Sequence, residues 1–294
     1  MWQDIEVELE KAAELKEKPA VENLGFGQYF TDHMFMMEWT REQGWHNARI
    51  CPYHNFELDP ASTVLHYGQA IFEGLKAYRG KDGQIFLFRP SDNFERMNQG
   101  AARISMPRFP TDQVLKALKA LVYLDREWIP DGDGATLYLR PTMIGVDPHL
   151  GLNPADKYIF YIIMSPVGAY YAEGFSPTKI YVTKNYVRSV KGGVGYVKTG
   201  GNYAASMLAA EEAKKAGYTQ VLWLDACEHK YVEEVGTSNI FFQFNETLVT
   251  PPLEGSILGG ITRDSVIKLA RDWNLDVEER QVSIDDCRLT GRQS

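Results

Sequence analysis

The segment Lys191–Tyr203, KGGVGYVKTGGNY, sets Lys198 within a run of five glycines spanning residues 192–201. A lysine amine attacks a carbonyl carbon only when unprotonated, and desolvation or a nearby cation moves it toward that state. Glycines permit positive φ and let a backbone approach a ligand closely, so such a run is costly unless the backbone is used. Two phosphate-binding motifs are excluded. A P-loop requires a glycine directly before its Lys-Thr pair, where Val197 stands; a dinucleotide fingerprint begun at Gly193 and Gly195 requires a third glycine where Lys198 stands. What remains is a lysine on a glycine-bounded turn, followed by Asn202, Tyr203 and a small-residue helix. Taken alone, the run equally describes a surface loop with a solvated lysine.

The second cluster is Tyr231–Phe242, YVEEVGTSNIFF. Adjacent carboxylates on an extended stretch point to opposite faces, so one of Glu233 and Glu234 is expected to be buried while its neighbour reaches water. A buried carboxylate needs a partner, and a pyridinium N–H is suitable. A solvated edge strand is the plain alternative. The third cluster is Leu253–Ser265, LEGSILGGITRDS, where Gly259 and Gly260 lead into Ile261 and Thr262. Backbone N–H groups at a helix start, beside a threonine hydroxyl, make a phosphate site, although many helices begin this way. Arg96 can add the positive charge a phosphate prefers.

The elements that must position these residues alternate. Strands are predicted at Gln84–Phe88, Thr136–Leu139, Tyr158–Met164, Lys179–Thr183, Gln220–Leu224, Ile240–Phe244 and Thr247–Thr250. Helices are predicted from Thr111 or Asp112 toward Trp128, after Ser91, from about Tyr203 to Gly217, and from Thr262. The result is an α/β (α+β) protein with Gly/Pro-rich joints at Gly145–Pro154 and Ser165–Pro177. The second joint divides a small N-terminal domain (1–167) and a linker (168–178) from a large C-terminal domain (179–294).

A net charge of −8 argues against a nucleic-acid surface and against attraction to anionic membranes. Cys51, Cys227 and Cys287 offer no metal-ligand spacing and read as buried thiols of a reducing compartment. The acidic N-terminus fits neither a secretory signal nor a transit peptide, and a cytoplasmic protein without metal is expected.

Together, and in this order, the three clusters resemble the branched-chain aminotransferases, a family of fold type IV pyridoxal-phosphate enzymes. The resemblance runs through LGFGQYFTDHMFMMEW, LHYGQAIFEGLKAYRG, LYLRPTMIG, KTGGNYAAS, EEVGTSNIFF and LVTPPLEGSILGGITRDS. It implies two domains with the active site between them and pyridoxal 5'-phosphate (PLP) as cofactor. It also implies transfer of the amino group of leucine, isoleucine or valine to 2-oxoglutarate by a homodimer. Lys198 matches the Schiff-base lysine that also shuttles the proton; Tyr203 matches the partner of the cofactor's phenolic oxygen, and Glu234 the partner of its ring nitrogen. Arg96, Ile261 and Thr262 match phosphate contacts, and Thr237 a residue beside cofactor and substrate carboxylate. Phe30, Tyr67, Phe72, Tyr138 and Tyr170 match the side-chain pocket, Arg140 the acceptor of the distal carboxylate of glutamate, and Leu152 an interdomain loop.

The chain ends in DCRLTGRQS, where the family leads into a further Gly-Thr-rich turn that contacts phosphate and substrate; that turn and the strands after it are expected to be missing. An inert or impaired relative, or another fold type IV enzyme such as a D-amino-acid transaminase or an aminodeoxychorismate lyase, is the competing reading.

Overall fold

The computed structural model describes residues 5–132, 134–168 and 177–290, and the chain divides into two compact units, Met1–Ser176 and Pro177–Ser294. The first unit is built on an eight-stranded sheet. Its strands are β1 (Glu8–Leu9), β2 (His33–Thr40), β3 (Gly44–Pro52), β4 (Ala70–Phe72), β5 (Leu75–Arg79), β6 (Ile85–Leu87), β7 (Thr136–Gly145) and β8 (Lys157–Val167). They run in the order β1-β3-β2-β8-β7-β5-β6, with β4 also paired to β7. The central pairs β2–β8 and β7–β8 are antiparallel, with Phe35 opposite Ile162 and Arg140 opposite Ile163.

Among the described residues this unit has three α-helices: α1 (Thr63–Tyr67), α2 (Pro90–Arg103) and α3 (Thr111–Leu124). The apolar repeat Val114, Leu118, Leu121 buries one stripe of α3. Phe94 of α2 meets Phe109 edge-on, and Phe109 packs on Phe160 of β8, which fixes the helical layer over one face of the sheet. On β7 the alternation leaves Tyr138, Arg140 and Thr142 half-buried on one face while Leu137, Leu139 and Met143 are buried.

The second unit has two three-stranded sheets. One contains β9 (Ile180–Val182), β10 (Gln220–Leu224) and β11 (Val232–Val235), the other β12 (Phe242–Phe244), β13 (Thr247–Thr250) and β14 (Asp276–Glu279). Its helices are α4 (Gly200–Lys215), α5 (Ile261–Asp272) and α6 (Ile284–Thr290). Val221 and Trp223 of β10 pack under Ala209 and Ala213 of α4, small residues that let the helix lie close to the strand. Leu222 and Leu224, on the other face, pack with Val232, Ile240 and Phe242.

Several boundaries differ from expectation. β7 continues through Pro141 to Gly145. Pro141 has no ladder N–H to donate, but Glu73 N–H bonds its carbonyl, so the strand survives the proline. α3 stops at Leu124, and Arg126–Trp128 is a separate 3-10 turn. α2 begins at Pro90 after Arg89 in the left-handed region, and α4 begins at Gly200 rather than Tyr203. Ser165–Val167 ends β8 rather than starting a joint. The thiols also differ: Cys51 is buried, but Cys227 is exposed and Cys287 half-buried.

Candidate functional site

Lys198 stands one residue before Thr199, the extended residue that caps α4. Asn202, in the first turn, folds its side chain back so that Nδ2 donates to Val194 O and Val197 O, both at 2.8 Å. These bonds pin the glycine run against the helix start and fix the Lys198 backbone. Its Nζ donates to the Tyr203 hydroxyl at 3.1 Å, and both side chains are half-buried. Gly195 serves the chain itself, whereas a Cβ on Gly200 or Gly201 would meet nothing within 4 Å. A Cβ on Gly195 would lie 2.2 Å from Ser256 O and 2.1 Å from Ser189 Oγ, so only glycine lets this run lie against the loop before α5.

Glu233 and Glu234 are both buried, which corrects the expectation that one would reach water. The pairing explains it. Trp223 faces Glu234 and Leu224 faces Val232, so Glu233 is the extra residue of a β-bulge, and a bulge breaks the strict alternation of faces. Glu234 Oε1 accepts from Leu258 N–H at 3.1 Å and Asn239 Nδ2 at 3.2 Å. Its Oε2 lies 2.7 Å from Arg188 Nε, an ion contact in which the N–H is not aligned for a hydrogen bond. Burial pushes the Glu234 carboxyl above its ordinary value, opposed by the Arg188 charge and the Leu258 amide.

Arg188, Tyr203, Glu234, Thr237 and Leu258 line one cleft, with Gly236 at a positive φ of 55° forming the turn that presents Thr237. Ile261 and Thr262 are the first residues of α5, whose N-cap is Gly260. Arg188 was not legible as a site residue. Its only signal was an arginine just before the glycine run, and nothing in residue type separates that from a surface arginine. Here its Nη2 donates to Gly195 O and Ser256 O, so one guanidinium ties the lysine loop, the buried glutamate and the loop before α5 together.

In the first unit Arg140 lies over the rings of Phe72 at 4.6 Å and Tyr138 at 5.2 Å, and its Nη2 donates to the Tyr138 hydroxyl at 3.0 Å. These three form one group. Phe30 stacks on Tyr53 at 5.2 Å, and Tyr53 packs in a cluster with Tyr161 and Ile163. The Tyr67 hydroxyl donates to Leu150 O, which brings it to the loop carrying Leu152, itself 81% exposed. Tyr170 lies outside the described residues. Arg96 makes a two-pronged contact with the fully buried Glu73, Nε to Oε1 at 2.7 Å and Nη2 to Oε2 at 2.8 Å. Asn93 Nδ2 also donates to Glu73 at 2.9 Å. Glu73 was missed too, although a lone acid inside the apolar run AIFEGL was a usable signal. Among the described residues no group of three or more His, Cys, Asp or Glu side chains is placed to hold a metal ion.

Residues 70–289 match the family model of the class IV amino-transferases. A Bacillus subtilis protein, branched-chain-amino-acid transaminase 1, is 53% identical over 281 residues, covering 95% of this chain and 79% of the relative. The branched-chain aminotransferase of Thermoproteus uzoniensis, solved with norvaline, superposes with a TM-score of 0.72 at 26% identity, over 86% of this chain and 80% of that one. The T.th. branched-chain amino acid aminotransferase, solved with pyridoxamine 5'-phosphate, gives 0.70 at 28% identity, over 85% and 78%. The chain belongs to the class IV aminotransferases and, within them, to the branched-chain-amino-acid aminotransferases.

Proposed function

We propose that the protein transfers the amino group of leucine, isoleucine or valine to 2-oxoglutarate, with PLP as cofactor and Lys198 as its covalent anchor. The observation that carries this reading is the Lys198 amine bonded to the Tyr203 hydroxyl, with Tyr203 and the buried Glu234 lining the same cleft.

The donor set fits the cofactor. A carboxylate offers about four acceptor directions. Glu234 accepts two hydrogen bonds, from Leu258 N–H and Asn239 Nδ2, both on Oε1, and its Oε2 meets the Arg188 charge without a hydrogen bond, which leaves acceptor capacity on Oε2 for a ring N–H. The start of α5 supplies a helix N-terminus for a phosphate at Ile261 and Thr262. When bound, PLP supplies an aldehyde carbon for the lysine and a protonated ring that withdraws electrons from the substrate Cα.

The residues then divide the work. Lys198 Nζ would take the Cα proton of the amino acid and deliver it to the cofactor carbon, and would move a proton in the opposite direction in the second half of the cycle. Tyr203 holds that amine and the phenolic oxygen of the cofactor in one hydrogen-bonded set. Glu234, with the Arg188 charge beside it, would hold the ring N–H, and Thr237 would orient the carboxylate end of the substrate. In the first unit, Phe30, Tyr67, Phe72, Tyr138 and Tyr170 are assigned to the aliphatic side chain and Leu152 to the loop over it. Arg140 is assigned to the distal carboxylate of 2-oxoglutarate, and Arg96, fixed by Glu73, to the phosphate. Apolar selection is worth only about 1–3 kcal/mol per methylene, so discrimination among the three aliphatic substrates is expected to be modest.

The reading extends to a homodimer in the cytoplasm. Family membership supports the dimer. Among the described residues no helix is long and apolar enough to cross a membrane.

The test is direct. Protein supplied with PLP is expected to turn yellow, lose the colour on addition of leucine alone, and form glutamate once 2-oxoglutarate is added. Borohydride reduction followed by mass spectrometry should place the adduct on Lys198. An adduct on another residue, or none, overturns the assignment.

A further inference from the structure

Glu233 has no role in the reaction just described, yet it is buried, and the bulge in β11 turns it inward beside Glu234. Its Oε1 accepts a short hydrogen bond from the hydroxyl of Ser256, which is also buried. Ser256 is held at its other end as well, since Arg188 Nη2 donates to its carbonyl. Two residues further on, Leu258 N–H is bonded to Glu234 and Leu258 O accepts from Asn239 Nδ2 at 2.8 Å. Asn239 in turn fits against Gly260, where a Cβ would come within 2.1 Å of Asn239 Oδ1.

The loop 251–260 contains no helix or strand and carries the chain from β13 into α5. Such a segment keeps one backbone path only if side chains elsewhere hold it. Two adjacent carboxylates of β11 supply that hold, Glu234 at Leu258 and Glu233 at Ser256. The path ends at the first turn of α5, where Ile261 and Thr262 lie.

We infer that Glu233 is a positioning residue for the phosphate end of the cofactor site, acting through the Ser256 hydroxyl to hold the loop that opens α5. The inference rests on the PLP reading above and adds to it a residue outside the contact set. Burial raises the Glu233 carboxyl from its ordinary value, and the Ser256 hydroxyl and Arg188 charge oppose this, in keeping with a carboxyl whose hydrogen bond sustains it in the interior. Glu233 reaches neither Lys198 nor Tyr203 in any contact described above, so its effect is separable from theirs.

The experiment titrates apoprotein with PLP and, separately, with pyridoxal, which has the same ring and aldehyde but no phosphate. E233A, S256A, E233A/S256A and E233Q are compared with the unmodified protein. E233A and S256A are each expected to weaken PLP about tenfold and to leave pyridoxal within about twofold, as for loss of one buried hydrogen bond that locates a binding loop. The double variant should be no weaker than the poorer single one, because the pair acts as a unit. E233Q retains an acceptor oxygen for Ser256 and should restore PLP affinity to within about twofold.

Unchanged PLP affinity in S256A and E233A overturns the inference. An equal loss for PLP and pyridoxal also overturns it, since the pair would then only hold the fold. If E233A does not fold, S256A and E233Q decide the matter by the same two ratios. If the unmodified protein binds neither aldehyde, the transaminase reading itself fails, an outcome distinct from normal binding with indifferent variants.

Discussion

Arg188 Nε stands 2.7 Å from Glu234 Oε2, with 10% of the arginine side chain and 4% of the glutamate side chain reaching solvent. The same guanidinium donates to Gly195 O and Ser256 O, so the charge that stabilises Glu234 also joins the two loops flanking the cleft. Removing one partner of a buried ion pair leaves the other charge uncompensated, at a cost of about 3–5 kcal/mol. Arg188→Met is expected to lower the unfolding free energy of the apoprotein, read from urea curves, by an amount in that range. It should also weaken PLP binding, because the Arg188 charge that opposes the effect of burial on the Glu234 carboxyl would be lost. A variant as stable as the parent would contradict the assignment of Arg188 as the tie between these segments.

Glu233 and Glu234 both carry raised carboxyl values, chiefly through burial. The unfolded chain releases these protons near 4.5, and the folded unit only at higher pH. Over that interval the folded form binds more protons than the unfolded form, so stability falls as pH rises. Glu233 Oε2 is buried without a hydrogen-bond partner, which makes its ionised form the costlier of the two to keep. Glu233→Gln is therefore expected to raise apoprotein stability by about 1 kcal/mol near pH 8 and to change it little below about pH 4.5. Denaturant curves at the two pH values check this, and a gain confined to acid would reverse the sign of the argument.

Gly195 has no room for a methyl group, with Ser256 O at 2.2 Å and Ser189 Oγ at 2.1 Å from the position a Cβ would take. The first is backbone and cannot rotate away. Gly195→Ala should cost about 1–3 kcal/mol through forced separation of the two loops. Loss of PLP affinity should accompany it, measured by the same titration. A fully stable, cofactor-binding variant would show that the two loops need not touch.

Arg140 packs against Phe72 and Tyr138, and its Nε is buried without a hydrogen-bond partner. If it receives the distal carboxylate of 2-oxoglutarate, Arg140→Met should raise KM for 2-oxoglutarate at least about tenfold, as for loss of a charge-assisted bond. The half-reaction with leucine, which has no second carboxylate, should change much less. Equal losses with both substrates would make Arg140 a packing residue for Tyr138.

The sequence by itself determined the family and most of the strands and helices with strong alternation, such as β10, β13 and α3, and it singled out Lys198 as the candidate for the covalent anchor. Those features depend on residue type and short spacing, which a string of letters records: Lys198 within its glycines, the acids of EEVGT, the double glycine before Ile261. The tertiary structure alone decided which polar groups meet. Arg188 and Ser256 lie 68 residues apart yet share a hydrogen bond, and neither carries a local pattern that marks it. The fate of Glu233 depended on a bulge, a mismatch between two strands that exists only once β10 and β11 are paired. Strict alternation predicts a solvated side chain there; pairing with one extra residue turns it into the interior. From the sequence the glycine run implied only that its backbone is used, whereas folding showed the missing side chain of Gly195 to be room for another part of the same chain. Local chemistry is written in order along the chain, and contacts between distant segments arise only when packing brings them within bonding distance.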